Sequence, residues 1–454
     1  MTQDDIQELE DNINFDENSK HTLNPSQIAK ILKHLKEEDN DRFDEIIQKI
    51  DHEILGDVLL ELPSSYIKYF LNFLPTQNLV NAIEELESDD QTDLIQEFEE
   101  IDNEKAKIIF DALQKDDQDD INRLKNYEEG VAGAYMQTEV FKVKLNQTPK
   151  DAIAILRQSK IDNELENIHN LYITDDKNKL LYLVSLEYLI LFEYNLSFEE
   201  LISQEANKDD FIPVTAKDDD DIDIVVKQFE EYDFSVMPIV DSHNRIIGRI
   251  TSDDIHDIIE ERATEQIYNL AGVDDEAEES EEDYFKLGRT RGFWLLLNLF
   301  TAIIASLVIG IFEETLSQYV ALAILMPIVA SMGGNAGTQT LTVVVRQLAL
   351  GDIEMSDAYK TVKKEVMISL GNGLVFAVIM GIIAYIWFDI KLLGVVIGLS
   401  MIINLFFAGF FGATIPLMLK RFDIDPAVGS SVLLTTITDI VGFFAFLGLA
   451  KLIL

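Results

Sequence analysis

The chain has 454 residues, with 82 acidic against 36 basic side chains, a formal charge of −46 and no cysteine. Such acidity leaves no basic stripe to neutralise phosphates and argues against nucleic acid as a partner, while the lack of cysteine excludes disulfides, thiolate metal sites and a cysteine nucleophile. Residues 286–454 hold only 10 of the acids and 11 of the bases, so an intensely acidic soluble part precedes a near-neutral, apolar one; the acidity favours cations, with solubility or salt adaptation as the plainer alternative.

Residues 1–22 are polar and acidic, the composition of a disordered tail. No signal-peptide pattern follows Met1, which predicts a cytoplasmic N-terminal part. From Leu23 the pattern is helical and repeats: VLLEL (58–62), FLNFL (70–74), AIEEL (82–86) and LIQEF (94–98) recur every 12 residues, with Pro63 and Pro75 after the first two. Units this short must stack to bury Leu62, Leu74, Leu86 and Phe98, so the spacing predicts an α-superhelix over 23–129. Asp89 and Asp93 stand four apart, on one face of such a helix. A solvated face is the ordinary reading; a divalent-ion site is the alternative, because hard cations take oxygen ligands.

From residue 130 short β-branched runs alternate with helical ones: VFKVKL, DAIAILRQ, HNLYITD and LLYLVSLEYLI, then FIPVTA, IDIVVKQFEEYD, SVMPIVD and IIGRITSDDIHDII. This doubled order over 130–196 and 197–252 resembles a pair of CBS domains, most closely where Met237-Pro238-Ile239-Val240-Asp241 precedes Gly248-Arg249-Ile250-Thr251-Ser252-Asp253-Asp254. In CBS modules that bind adenine nucleotides a Thr-x-x-Asp holds the ribose, so the resemblance implies Thr251 and Asp254 as that contact. The first copy has Ser185 and Tyr188 instead. A sensor and dimerisation module with ATP as an optional ligand is expected.

Residues 253–285 open with a helical stripe of Ile255, Ile258, Ile259, Ala263, Ile267 and Leu270. Asp254, Asp257, Glu261 and Glu265 ride beside it, and the acidic run 274–283 reads as a tether. The segment is either a plain linker or a lever between an acidic sensor and a bilayer. Five apolar spans follow at 293–312, 320–345, 366–388, 392–419 and 427–454, forming an all-α transmembrane domain over 286–454. Arg289, Arg291, Arg346, Lys360, Lys363, Lys364, Lys420 and Arg421 flank them on one side and Lys391 alone on the other. The asymmetry predicts a multi-pass protein of the cell membrane with its N-terminus cytoplasmic and its C-terminus outside. Five spans are few for a path of their own, which favours a homodimer with a pore on its axis.

Near the middle of the last span sits Asp439, among Thr435, Thr436, Thr438 and Gly442. A lone ionised Asp there costs roughly 2.5–3.5 kcal/mol on insertion scales, so it marks a cation site or else a hydrogen-bonded glue between helices. The second span reads PIVASMGGNAGTQT, with Pro327, Gly333, Gly334, Asn335, Gly337 and Gln339. That composition predicts a broken or closely approached helix, which either packs on protein or lines a cavity.

On the GGN-x-G-x-Q motif of span two and TTITDIVGFF of span five, together with the acidic superhelix, CBS pair, connecting helix and five spans, the chain closely resembles the MgtE magnesium-transporter family. The resemblance implies that Asp439 lines the pore; Gly334, Asn335, Thr435 and Thr438 are the candidate residues lining it beside Asp439. It also implies that the helix after the CBS pair is a plug, and that Asp425 meets this plug through bound Mg²⁺. Arg262 and Gln266 stand where further plug carboxylates would be expected, which leaves Glu265. Asp89, Asp93, Asp233, Asp254, Asp257, Glu265 and Asp425 are the candidate sensor ligands. The expected function is passive Mg²⁺ influx closed by cytoplasmic Mg²⁺; the rival is a CBS-regulated exchanger in which Asp439 carries protons or sodium. No phosphate loop or nucleophile–base constellation points to an enzyme.

Overall fold

The computed structural model describes residues 23–161, 165, 167–205, 208–273, 284–353, 355–422 and 424–454. The expected tail over 1–22 and tether over 274–283 lie outside the described residues. The chain divides into two units, Met1–Glu260 and Glu261–Leu454.

The first unit opens with a reciprocal cap. Asn24 accepts from the Gln27 N–H at 2.9 Å and donates its own N–H to the Gln27 side chain at 3.1 Å, satisfying donors that a helix start leaves bare. Helices α1 (Pro25–Glu38), α2 (Asn40–Ile47), α3 (His52–Leu60), α4 (Ser64–Phe73), α5 (Thr76–Glu84), α6 (Ser88–Ala112) and α7 (Lys115–Leu124) follow. The starts of α3 to α6 fall 12 residues apart, and Pro63 and Pro75 are the N-caps of α4 and α5. A proline just before the first turn removes no helical hydrogen bond. Leu62, Leu74, Leu86 and Phe98 are all buried in one core with Phe43 and Phe70, each enclosed Phe or Leu contributing roughly 1.5–3 kcal/mol. Helix α6 outruns the repeat because it is two segments. Asp102 is extended (φ −154°, ψ 90°), and its carboxylate accepts from the Lys105 N–H at 3.2 Å to cap the second one.

Two three-stranded sheets of identical order follow. In the first, β1 (Lys142–Lys144) runs parallel to β2 (Asn170–Thr174) across α8 (Pro149–Ile161), and β2 is antiparallel to β3 (Leu180–Ser185). Helices α9 (Leu186–Leu191) and α10 (Phe198–Gln204) come next. The second copy comprises β4 (Ala216–Lys217), α11 (Ile222–Tyr232), β5 (Val236–Val240), β6 (Ile246–Thr251) and α12 (Ser252–Ala271), which continues past Glu260. Both hairpins use the same turn. Asp175 accepts from the N–H groups of Lys177 and Lys179, Asp241 from those of His243 and Arg245, and Asn178 and Asn244 are both left-handed (φ 62° and 63°). Asn tolerates that conformation because its short polar side chain can bond locally.

The second unit is helical: α13 (Tyr284–Gly310), α14 (Glu313–Gln318), α15 (Val320–Ala349), α16 (Ala358–Phe388), α17 (Lys391–Arg421) and α18 (Ser430–Ile453). Among the described residues, five helices are long and apolar enough to cross a membrane: Leu287–Gly310, Val320–Ala349, Met355–Phe388, Lys391–Arg421 and Ser430–Ile453. Helix α17 is the most enclosed and α13 the least. Small residues set the crossings: a Cβ on Gly412 would lie 2.8 Å from the Gly337 carbonyl oxygen, so the two backbones touch as small-residue membrane interfaces allow.

Candidate functional site

Strand β6 carries Arg249 wholly inside the first unit, 2% exposed. Its guanidinium ties three segments: Nη2 to Glu87 Oε1 at 2.9 Å, Nε to Gln137 Oε1 at 3.0 Å and Nη1 to the Asn167 carbonyl at 3.2 Å. Gln137 in turn points its amide at Asp254, 3.4 Å from each carboxylate oxygen. Asp254 also accepts from the N–H and hydroxyl of Thr251, at 2.9 and 2.7 Å. Thr251 and Asp254 are thus adjacent, and they close on each other across the first turn of α12. In the first copy Ser185 caps α9 by accepting from the Tyr188 N–H at 3.3 Å, and the Tyr188 ring packs on Phe211.

Around this guanidinium lies a seam of carboxylates. Burial holds Asp89 well above the usual carboxylate range, and the charges of Asp254, Asp90 and Glu87 raise it further. Asp89 Oδ1 takes no hydrogen bond from the described residues. Asp90 is pushed up to about 7 by burial, then by Asp254, Asp93 and Glu87. Burial takes Glu87 to about 7 against the opposing pull of Arg249. Glu139 is raised by burial while it accepts from the Ser88 hydroxyl at 3.0 Å. Asp89 thus lies within reach of the Asp254 charge, while Asp93 and Asp257 are exposed at the seam's edges. Asp257 is raised by burial, then by Asp253, Glu260 and Glu61. Asp233 stands apart, exposed as the left-handed C-cap of α11 (φ 52°). Among the described residues no three His, Asp or Glu side chains are close enough to cage an ion. The seam is a set of facing carboxylates rather than a closed cup. Sequence reasoning missed Glu87, Asp90, Gln137 and Arg249. The available signal was a basic residue inside the otherwise apolar strand IIGRIT.

Raised carboxylates bind protons more tightly folded than unfolded, so their contribution is largest at low pH and is lost as pH rises through the folded values. Glu87 and Asp90 place the end of that window at about 7, and Asp117, pushed to about 6 by burial and then Glu84, falls inside it. With divalent cations chelated, the first thermal transition of the full-length chain should fall between roughly pH 5 and pH 7.5, and a divalent cation should flatten that fall. A flat or rising midpoint in chelator is the contrary result.

In the second unit Asn269 of α12 donates to Asp425 Oδ2 at 3.0 Å and to Glu265 Oε1 at 3.3 Å. The expected pair, Glu265 and Asp425, thus shares one amide. Asp425 Oδ1 also accepts from the Ala427 N–H at 2.9 Å.

Asp439 is half-buried on α18. The neighbouring hydroxyls do not serve it: Thr435 donates to the Ser431 carbonyl at 2.9 Å, Thr436 to Val432 at 2.6 Å and Thr438 to Thr435 at 3.1 Å. Thr438 is fully enclosed and Thr435 half-buried. On α15, Asn335 is exposed and donates within its own helix, to Ser331 Oγ at 3.3 Å. A Cβ on Gly334 would meet nothing within 4 Å in this chain. The close approach belongs instead to Gly333, whose Cβ would run into the Asn404 amide, and to Gly337 against Leu434. Gly334 and Asn335 therefore present an open face, while the flanking glycines do the packing.

Three family models match in order along the chain: MgtE intracellular N domain over 23–130, CBS domain over 131–193 and 210–261, and MgtE, divalent cation transporter, over 326–449. A Thermus thermophilus protein named magnesium transporter MgtE is 31% identical over 81% of this chain and 79% of its own length. A Bacillus subtilis protein of the same name is 28% identical over 94% of this chain and 91% of its own. A solved structure of the cytosolic domain of the Mg²⁺ channel MgtE in complex with ATP aligns at 25% identity and TM-score 0.46, over 52% of this chain and 91% of that one. With the N domain, the CBS pair and the transporter domain matched in order, and with relatives aligned over most of both chains, this protein belongs to the membrane-spanning MgtE family of magnesium transporters.

Proposed function

We propose that the chain is a channel-like path for passive Mg²⁺ influx, built as a homodimer and closed by cytoplasmic Mg²⁺ on its acidic seam. The observation that carries the reading is Asp439, a half-buried carboxylate in a membrane-spanning helix whose threonine neighbours donate elsewhere. A carboxylate left without those donors is free to hold a hydrated cation through its waters, which suits an ion that dehydrates reluctantly. Inward movement of a divalent ion gains roughly 4.6 kcal/mol per 100 mV, so no nucleotide hydrolysis is required. The open face of Gly334 and Asn335 supports a second copy across the path. In the seam, Mg²⁺ neutralises Asp89, Asp90 and Asp254, which otherwise repel, and α12 carries the change towards the spans with the N-terminus in the cytoplasm. ATP, if it binds at Thr251 and Asp254, competes for the same carboxylate.

The test is Mg²⁺ uptake into proteoliposomes at clamped voltage, with and without Mg²⁺ on the sensor side. Uptake that follows voltage and declines with sensor-side Mg²⁺ is the expected result. Uptake that vanishes without a proton or sodium gradient overturns it in favour of the exchanger, and uptake indifferent to sensor-side Mg²⁺ removes the gating half.

A further inference from the structure

We propose that Asn404 is a positioning residue of the ion path, fixing how the Gly333–Asn335 segment of α15 stands against the Asp439 turn of α18. This rests on the transport reading above. Asn404 lies in the apolar middle of α17 and is fully buried. Its Nδ2 donates to the Val329 carbonyl of α15 at 2.8 Å. The same amide fills a notch made by two glycines. A Cβ on Gly333 would run into it, and one on Gly442 would lie 2.9 Å from Nδ2. Gly333 stands two residues before Asn335 and Gly442 three after Asp439, so one side chain touches both strips that carry the path's polar groups.

Two further features argue that the amide is kept for its donor and not for its volume. Asn404 Oδ1 takes no hydrogen bond from the described residues, and a buried unmade acceptor is a penalty that an apolar side chain of equal size would avoid. Helix α15 also carries Pro327, whose ring removes the N–H that would bond the Ala323 carbonyl. The Asn404 bond lands on the Val329 carbonyl, two residues past the proline, and ties α15 to α17 just after the turn that has lost an internal rung. Mg²⁺ demands near-ideal octahedral geometry, so a path that holds it through water depends on spacing held within about half an ångström. Loosening this tie therefore alters which ion passes as well as how fast.

The test compares the wild-type chain with Asn404→Leu, of the same branched outline and without the donor, in proteoliposomes matched for folded protein. Mg²⁺ flux should fall roughly threefold to tenfold, the scale of one interhelical hydrogen bond in a membrane. The flux of Ca²⁺ or Mn²⁺ relative to Mg²⁺ should rise. If Asn404→Leu does not fold, the space-compensated pair Gly333→Ala with Asn404→Ala serves in its place with the same expectation. Because the chain has no cysteine, an Asn335→Cys probe adds a readout that needs no ion. Its rate of labelling by a water-soluble maleimide should change when Asn404→Leu is added. Equal loss for every ion with an unchanged labelling rate overturns the proposal. Should the wild-type chain carry no divalent ion at all, the transport reading fails separately and the labelling rate alone decides the positioning.

Discussion

Asp439→Asn should lower Mg²⁺ flux by at least about a hundredfold without changing the amount of folded protein in the membrane. The substitution keeps shape and removes charge. A divalent ion held through one water, about 5 Å from a single carboxylate, gains roughly 6–7 kcal/mol at an effective dielectric constant near 20. Losing half of that already exceeds two decades in occupancy. The fold should be indifferent, since none of the hydroxyls of Thr435, Thr436 and Thr438 is spent on this carboxylate. Removing a charge from a membrane helix is, if anything, stabilising. Proteoliposome flux together with the size-exclusion profile in detergent checks both halves. Normal flux in the Asn variant would mean that the carboxylate only holds helices together.

Arg249→Met should destabilise the first unit by about 3 kcal/mol at pH 8, because it strands a partly buried Glu87 opposite an apolar side chain. The cost should shrink towards pH 6. Glu87 already titrates at about 7 with Arg249 pulling it down, so without that pull it takes up a proton more readily. Pairing Arg249→Met with Glu87→Gln should recover most of the loss, and the double-mutant cycle isolates the pair. The readout is the first thermal transition of the full-length chain. Because the guanidinium also reaches Gln137 and Asn167, the single variant should loosen the helical stack from both CBS copies together. An equal loss at pH 6 and pH 8 would show that Arg249 acts by packing and not by charge.

Much of this architecture is legible in the chain because it depends on local period and length. The 12-residue recurrence of Leu62, Leu74, Leu86 and Phe98 is set by how many residues one short helix needs to present one face, and all four are buried. The two sheets are legible in the doubled order of β-branched and helical runs, and both hairpins turn on an Asp whose side chain bonds the N–H groups two and four residues on. The spans follow from helical rise against bilayer thickness, and Asp439 stands out because ionised groups are rare at that depth.

What tertiary structure alone decided is which of two similar neighbours does the work. Asp89 is buried within reach of the Asp254 charge while Asp93, four residues on, is exposed, because packing fixes which turn of α6 is covered. Gly333 and Gly334 are identical in sequence, yet only the first has a helix against it. Arg249 reads as one more surface base in a strand until Glu87, 162 positions away, is laid beside it. Asn404 is a single amide in an apolar run until the crossing of three helices places it between Gly333 and Gly442. Charge, period and length are properties of a segment and are written in it. The partner of a buried polar group is a property of the fold, because desolvation and Coulomb energy depend on distances that the chain closes only when its cores pack.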